Sequence, residues 1–194
     1  MDAAAIQRER EISSDPLILG VETGPGFFQP QILRAPPKVQ LAGLARESAR
    51  SCAVQPQTTQ FSFQGEGPFH SHELLSLLTL SYATRLFTLE RIYESLRDEI
   101  IFRGLLSTSV PHPTTVRAFR RQERASLVSS LETFFQRFFS LTDEDTDDSD
   151  QLKAWTLAVG FKSSTFAREP SDVRRMVIDR INQATWTDKM LLDF

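Results

Sequence analysis

The sequence predicts a mainly α-helical protein, a bundle of about four helices preceded by an extended, Pro/Gly-rich N-terminal arm. Three observations predict it. Seven of the ten prolines and six of the eight glycines fall within residues 1–68, and both residue types disfavour regular helix there. From His70 onward apolar residues recur at steps of three and four, the period of an amphipathic helix. Hydrophobic residues make up 40% of the chain and include 15 Phe, enough to fill a core and to argue against wholesale disorder.

The arm, residues 1–68, is unlike a disordered tail. The stretch "DPLILGVETGPGFFQPQILRAPPKVQLAGL" sets Phe27, Phe28, Ile32 and Leu33 between prolines. Disordered tails are poor in such residues. An apolar segment punctuated by proline reads as an arm lying on a surface, either its own helical domain or a neighbouring subunit. Two short helices are expected to interrupt it, near residues 3–11 and 40–52, and "FSFQ" at 61–64 alternates like a strand.

The helical domain, residues 69–194, follows. Ser71 is expected to cap one long central helix ending at Gly104, placed as its C′ residue. Leu75, Leu78, Tyr82, Leu86, Leu89, Tyr93, Leu96 and Ile100 form one row on it. Leu74, Leu77, Phe87, Ile101 and Leu105 form a second. A helix apolar on more than one side belongs at the centre of a bundle. After "STSVPHPTT", Thr114 or Thr115 is expected to cap a helix running to about Leu141. Its core side carries Val116, Phe119, Leu127, Leu131, Phe134 and Phe138. A third helix, "QLKAWTLAVGF", places Leu152, Trp155 and Val159 on one face. A fourth, capped by Ser171, carries Val173, Val177 and Ile181, and "TWTDKMLLDF" forms a last amphipathic turn.

The charge is unevenly placed. Net charge is -3, which argues against a dedicated nucleic-acid binder. The acidic loop at 143–150, "DEDTDDSD", holds six acids, so the remainder carries -3 + 6 = +3. Of the 22 basic residues 18 are arginine, which pairs bidentately with carboxylate and phosphate and stacks on aromatic rings and bases. Arg117, Arg121 and Arg124 share one flank of the second long helix, with Arg120 near its border and Arg174 and Arg175 as possible additions. That flank turns apolar further along, at Val128, Phe135 and Phe139. It could meet phosphate, an acidic protein or the chain's own acidic loop. The plainer alternative is a solvated flank with local pairs such as Arg120–Glu123.

Other motifs fail on inspection. Asp143, Asp145 and Asp147 match the first alternate ligands of a calcium loop, but Asp148 stands where glycine is needed and Ala154 where a bidentate Glu is needed. His70, His72 and Glu73 lack the further ligands that zinc requires, and Cys52 has no recognisable partner. No phosphate-binding glycine loop, nucleophile elbow or metalloprotease motif occurs. No catalytic residue, metal or cofactor is therefore expected. One cysteine, a start without an apolar signal core and no apolar run of membrane length lead to a cytoplasmic or nuclear expectation.

Trp186, Met190 and Phe194 are spaced four apart, one face of a helix that could dock on another chain or close the core. The functional expectation is a non-enzymatic assembly subunit, similar in kind to subunits of helical nucleocapsids and coats. Phe27, Phe28, Ile32, Leu33, Trp186, Met190 and Phe194 would contact neighbours, and the arginine flank would contact RNA or an acidic partner. A protein–protein adaptor that binds no nucleic acid is the alternative.

Overall fold

A computed structural model of the chain describes residues 37–52, 69–107, 109–144, 157–160 and 170–192, with the side chains of Pro37, 142–144 and 188–192 outside this set. The protein is mainly helical. Its helices are α1 (Pro37–Ser51), α2 (Ser71–Ala83), α3 (Leu89–Asp98), α4 (Ile100–Arg103), α5 (Pro113–Gln122), α6 (Arg124–Glu144) and α7 (Pro170–Leu192). The expected helix at 3–11, the strand-like 61–64, Leu152, Trp155 and most of the acidic loop lie outside the described residues.

α2 is the central helix, for a reason visible in its composition. Leu74, Leu75, Leu77, Leu78, Leu80 and Tyr82 are all at most 2% exposed, so every side of the helix is covered. Its small polar residues are buried too and turn their hydroxyls onto the helix itself. Ser76 donates to the His72 carbonyl and Ser81 to the Leu77 carbonyl, which removes the cost of burying them. α1, α6 and α7 pack around α2, and α6 also contacts both α1 and α7. A buried hydroxyl pair, Thr79 with Ser130 at 2.8 Å, ties α2 to α6.

α1 falls on the N-terminal side of the compositional boundary at 68/69, yet it is part of the helical body. Leu41, Leu44, Ala45, Ala49 and Cys52 are buried in the common core. Pro37 stands at the first position of α1, where a proline costs nothing, and Gly43 is tolerated inside the helix. Phe27, Phe28, Ile32 and Leu33, which precede Pro37, lie outside the described residues.

The long helix expected over 71–104 is three helices. α2 stops at Thr84, Arg85 takes a left-handed φ of 64°, and Thr88 caps α3 by accepting from the Arg91 amide at 3.2 Å. This turn lets Phe87, Leu89 and Ile92 reach the core, burial that one straight helix would not deliver to the same side. A second break at Glu99 puts α4 out of phase. Ile100, expected on the apolar row, is 78% exposed, while Phe102 is buried. Gly104 ends α4 with φ −63°, so its position makes no use of left-handed freedom. Ser71 is not a cap either; His70 precedes the helix with extended backbone and makes no side-chain cap bond.

The helix expected from Thr114 to Leu141 is also divided. His112, not a threonine, is the N-cap, and it accepts from the Thr114 amide. Pro113 occupies the first turn, where its missing N–H is harmless. The chain bends at Glu123 between α5 and α6. The apolar side survives the bend: Val116, Phe119, Leu127, Leu131, Phe134 and Phe138 are all at most 1% exposed. Phe134 meets Phe135 edge-on at 5.3 Å and stacks on Phe138 at 6.3 Å. α7 begins at Pro170, with Ser171 inside it, and runs without interruption to Leu192, into the expected terminal turn. Val173, Val177, Ile181 and Ala184 form its buried stripe. Among the described residues no helix is long and apolar enough to cross a membrane.

Candidate interface for an anionic partner

The arginines of α5, α6 and α7 divide into buried and exposed sets. Arg120 is 7% exposed, and its Nη1 donates to the Tyr82 hydroxyl at 3.1 Å and toward the Ala184 carbonyl at 3.5 Å. It lies one position after Phe119 and four after Val116, on the core side of the border that the helical wheel assigns it. Arg120 therefore joins the core and is no longer a surface contact. Glu123 accepts from the Ser126 hydroxyl at 2.7 Å.

Arg180, which helical spacing alone does not single out as a contact residue, is extensively engaged. It is 8% exposed. Its Nη1 donates to the Tyr82 and Ala83 carbonyls at 2.8 and 2.6 Å, and Nη2 to the Val159 carbonyl at 3.1 Å. The guanidinium also lies over the Phe135 ring, 4.9 Å from its centroid. Positive charge at the C-terminal end of α2 complements the helix dipole. Burial, and secondarily the charge of Arg85, push the Arg180 guanidinium down to about 10. A sequence signal did exist: Arg180 is three after Val177 and four before Ala184, a core position on α7.

Arg121 and Arg124 are exposed and Arg117 is half-buried. Among the described residues no acidic group stands within ion-pairing distance of these three. Arg124 is held instead by a neutral partner, donating to Asn182 Oδ1 at 2.8 Å. Arg174 and Arg175 are placed elsewhere. Arg174 lies 3.7 Å from Glu132 and Arg175 3.7 Å from Asp172. They stand at the far end of α7, about 12 Å along the axis from Asn182, and do not extend the same surface.

Two contacts set the direction of α7 against α6. Arg124 meets Asn182 and Glu132 meets Arg174, so the two helices run antiparallel. Continuing that register brings Trp186 level with the last turn of α5, where Arg120 already reaches Ala184. Trp186 is one turn beyond Asn182 on the same stripe and is 62% exposed. The structure thus brings the cationic flank and the exposed indole, distant in sequence, to one end of the helical body. The side chains of Met190 and Phe194, expected to share the face of Trp186, lie outside the described residues.

Comparison with family models, with curated proteins and with solved structures finds no match. The functional reading therefore rests on geometry and chemistry. Among the described residues no three His, Cys, Asp or Glu side chains converge as a metal site. His72 Nδ1 lies 3.2 Å from the Ala49 carbonyl, and His112 is taken up as a helix cap. Cys52 is buried, with its thiol donating to the Ser48 carbonyl.

Proposed function

We propose that this chain is a non-enzymatic assembly subunit, nucleocapsid- or coat-like, with a four-helix core formed by α1, α2, α6 and α7. In this reading the segment before α1 is an extended arm that contacts neighbouring subunits through Phe27, Phe28, Ile32 and Leu33. The face of Arg117, Arg121, Arg124 and Trp186 receives an anionic partner, RNA or an acidic protein surface. One observation carries it: three arginines that make no ion pair among the described residues share one end of the helical body with an exposed tryptophan. Arginine and tryptophan are among the side chains most enriched where interfaces are anchored.

A second reading, a protein–protein adaptor without nucleic acid, is favoured by the loss of Arg120 to the core and of Arg174 and Arg175 to ion pairs. Among the described residues these leave two exposed arginines, Arg121 and Arg124, and the half-buried Arg117 on this face of a chain with net charge -3.

Size-exclusion chromatography with light scattering, recording protein and nucleic-acid absorbance separately, tests both. A large species carrying nucleic acid that shrinks as salt rises is the expected result. A clean monomer at low salt removes the assembly reading and leaves the adaptor.

A further inference from the structure

We infer that the face of Arg117, Arg121, Arg124 and Trp186 binds single-stranded nucleic acid, with the arginines on consecutive phosphates and a base stacked on the Trp186 indole. This deepens the anionic-partner reading and rests on it. A surface built for carboxylates needs only the guanidiniums. An indole that is 62% exposed offers a flat aromatic face that carboxylates alone do not use, and leaving it in water forgoes its burial. A single strand supplies both chemistries at once, phosphates for the arginines and π-faces for the ring. A paired duplex supplies only phosphates, because its bases are already stacked.

The geometry fits a strand crossing from α5–α6 to α7. Arg117 and Arg121 are one helical turn apart on α5, and Arg124 follows just past the bend. Trp186 lies about 6 Å along α7 from Asn182, and Asn182 fixes the Arg124 guanidinium at 2.8 Å. Arg124 is therefore pre-organised on this face by Asn182, which lowers the ordering cost of binding. Below Arg121, the buried bond from Arg120 to the Tyr82 hydroxyl locks the last turn of α5 to the core.

The test is titration of the full chain with a short oligouridylate, followed by tryptophan fluorescence and by anisotropy of a labelled oligonucleotide. Polyglutamate is titrated in parallel. The oligonucleotide is expected to quench part of the emission. Trp186→Ala should remove that quench and weaken binding roughly five- to a hundred-fold. Three phosphate contacts predict a slope of about −2 in log affinity against log salt, and Arg121→Gln should make it shallower by about 0.7. All substituted positions are exposed or half-exposed, and circular dichroism checks that each variant is folded. Binding of polyglutamate without the oligonucleotide overturns this inference while leaving the anionic-partner reading intact. Binding of neither, or oligonucleotide binding that is unchanged in both variants, removes this face from either role.

Discussion

Arg180 illustrates how a buried cation is made tolerable at the scale of one residue. Its donors meet the carbonyls of Tyr82, Ala83 and Val159, and its plane rests on Phe135. Arg180→Met keeps the hydrophobic stem but withdraws those donors from buried acceptors. The expected cost is about 2–4 kcal/mol in urea unfolding. The pH dependence follows from the shift. The folded-state value, about 10, lies below the unfolded one, so the native state binds fewer protons only above that pH. Stability gains from this group as pH rises past about 10 and is independent of it below. The difference between wild type and Arg180→Met is therefore expected to be constant between about pH 6 and pH 9; a difference that drifts across that range would contradict this placement. The hydroxyl pair of Thr79 and Ser130 makes the complementary case. Thr79→Val should cost about 1–2 kcal/mol by stranding the Ser130 hydroxyl, and adding Ser130→Ala should cost less than the sum of the two.

At the scale of elements, the turn between α2 and α3 decides the shape of the core. Arg85 adopts φ 64° there, a conformation that glycine accepts freely and arginine does not. The turn is matched by a second one. Gly160 has φ 76°, and a Cβ on it would lie 2.3 Å from Arg85 Cδ. Arg85 Nη1 also approaches the Gly160 carbonyl at 3.4 Å. The two left-handed residues therefore constrain each other across 75 positions of sequence. Gly160→Ala is expected to destabilise by about 1–2 kcal/mol in the wild type. In an Arg85→Gly background the steric part vanishes and only the backbone strain remains, so the cost should fall. Equal costs in the two backgrounds, measured by chemical denaturation, would show that the two turns are not coupled.

At the scale of the whole molecule, α1 is the first described helix and is part of the core, so truncations on either side of it should behave differently. Deleting residues 1–36 is expected to leave helicity by circular dichroism nearly intact while abolishing assembly. Deletion through Cys52 strips Leu41, Leu44, Ala45 and Ala49 from α2 and α6 and should abolish cooperative thermal unfolding. A 1–36 deletion that still assembles removes the arm from the proposed function. The asymmetry also explains what was readable in advance. The buried stripe Val116–Phe119–Leu127–Leu131–Phe134–Phe138 was legible because helical period is local and survives the bend at Glu123. The helix near 40–52 was legible for the same reason, but not its membership of the core, which depends on α2 and α6 being there to receive it.

The candidate face was half legible. Arg117, Arg121 and Arg124 share a flank by spacing alone, and Trp186 stood out as an aromatic on an amphipathic end. Their convergence depends on the antiparallel register of α6 and α7, which no local pattern encodes. The assignment of Arg120 to the core and the existence of the Arg180 site were decided there as well. By itself the sequence determined that the chain is mainly helical and which residues of most helices turn inward, because backbone geometry and the hydrophobic effect act over one or two turns. Only the tertiary structure decided where the long periodic stretches break and which arginines stay in water. A break at Arg85 is favoured by the burial it gives Phe87 and Ile92, and a guanidinium can be buried only where helices distant in sequence bring it carbonyls and rings.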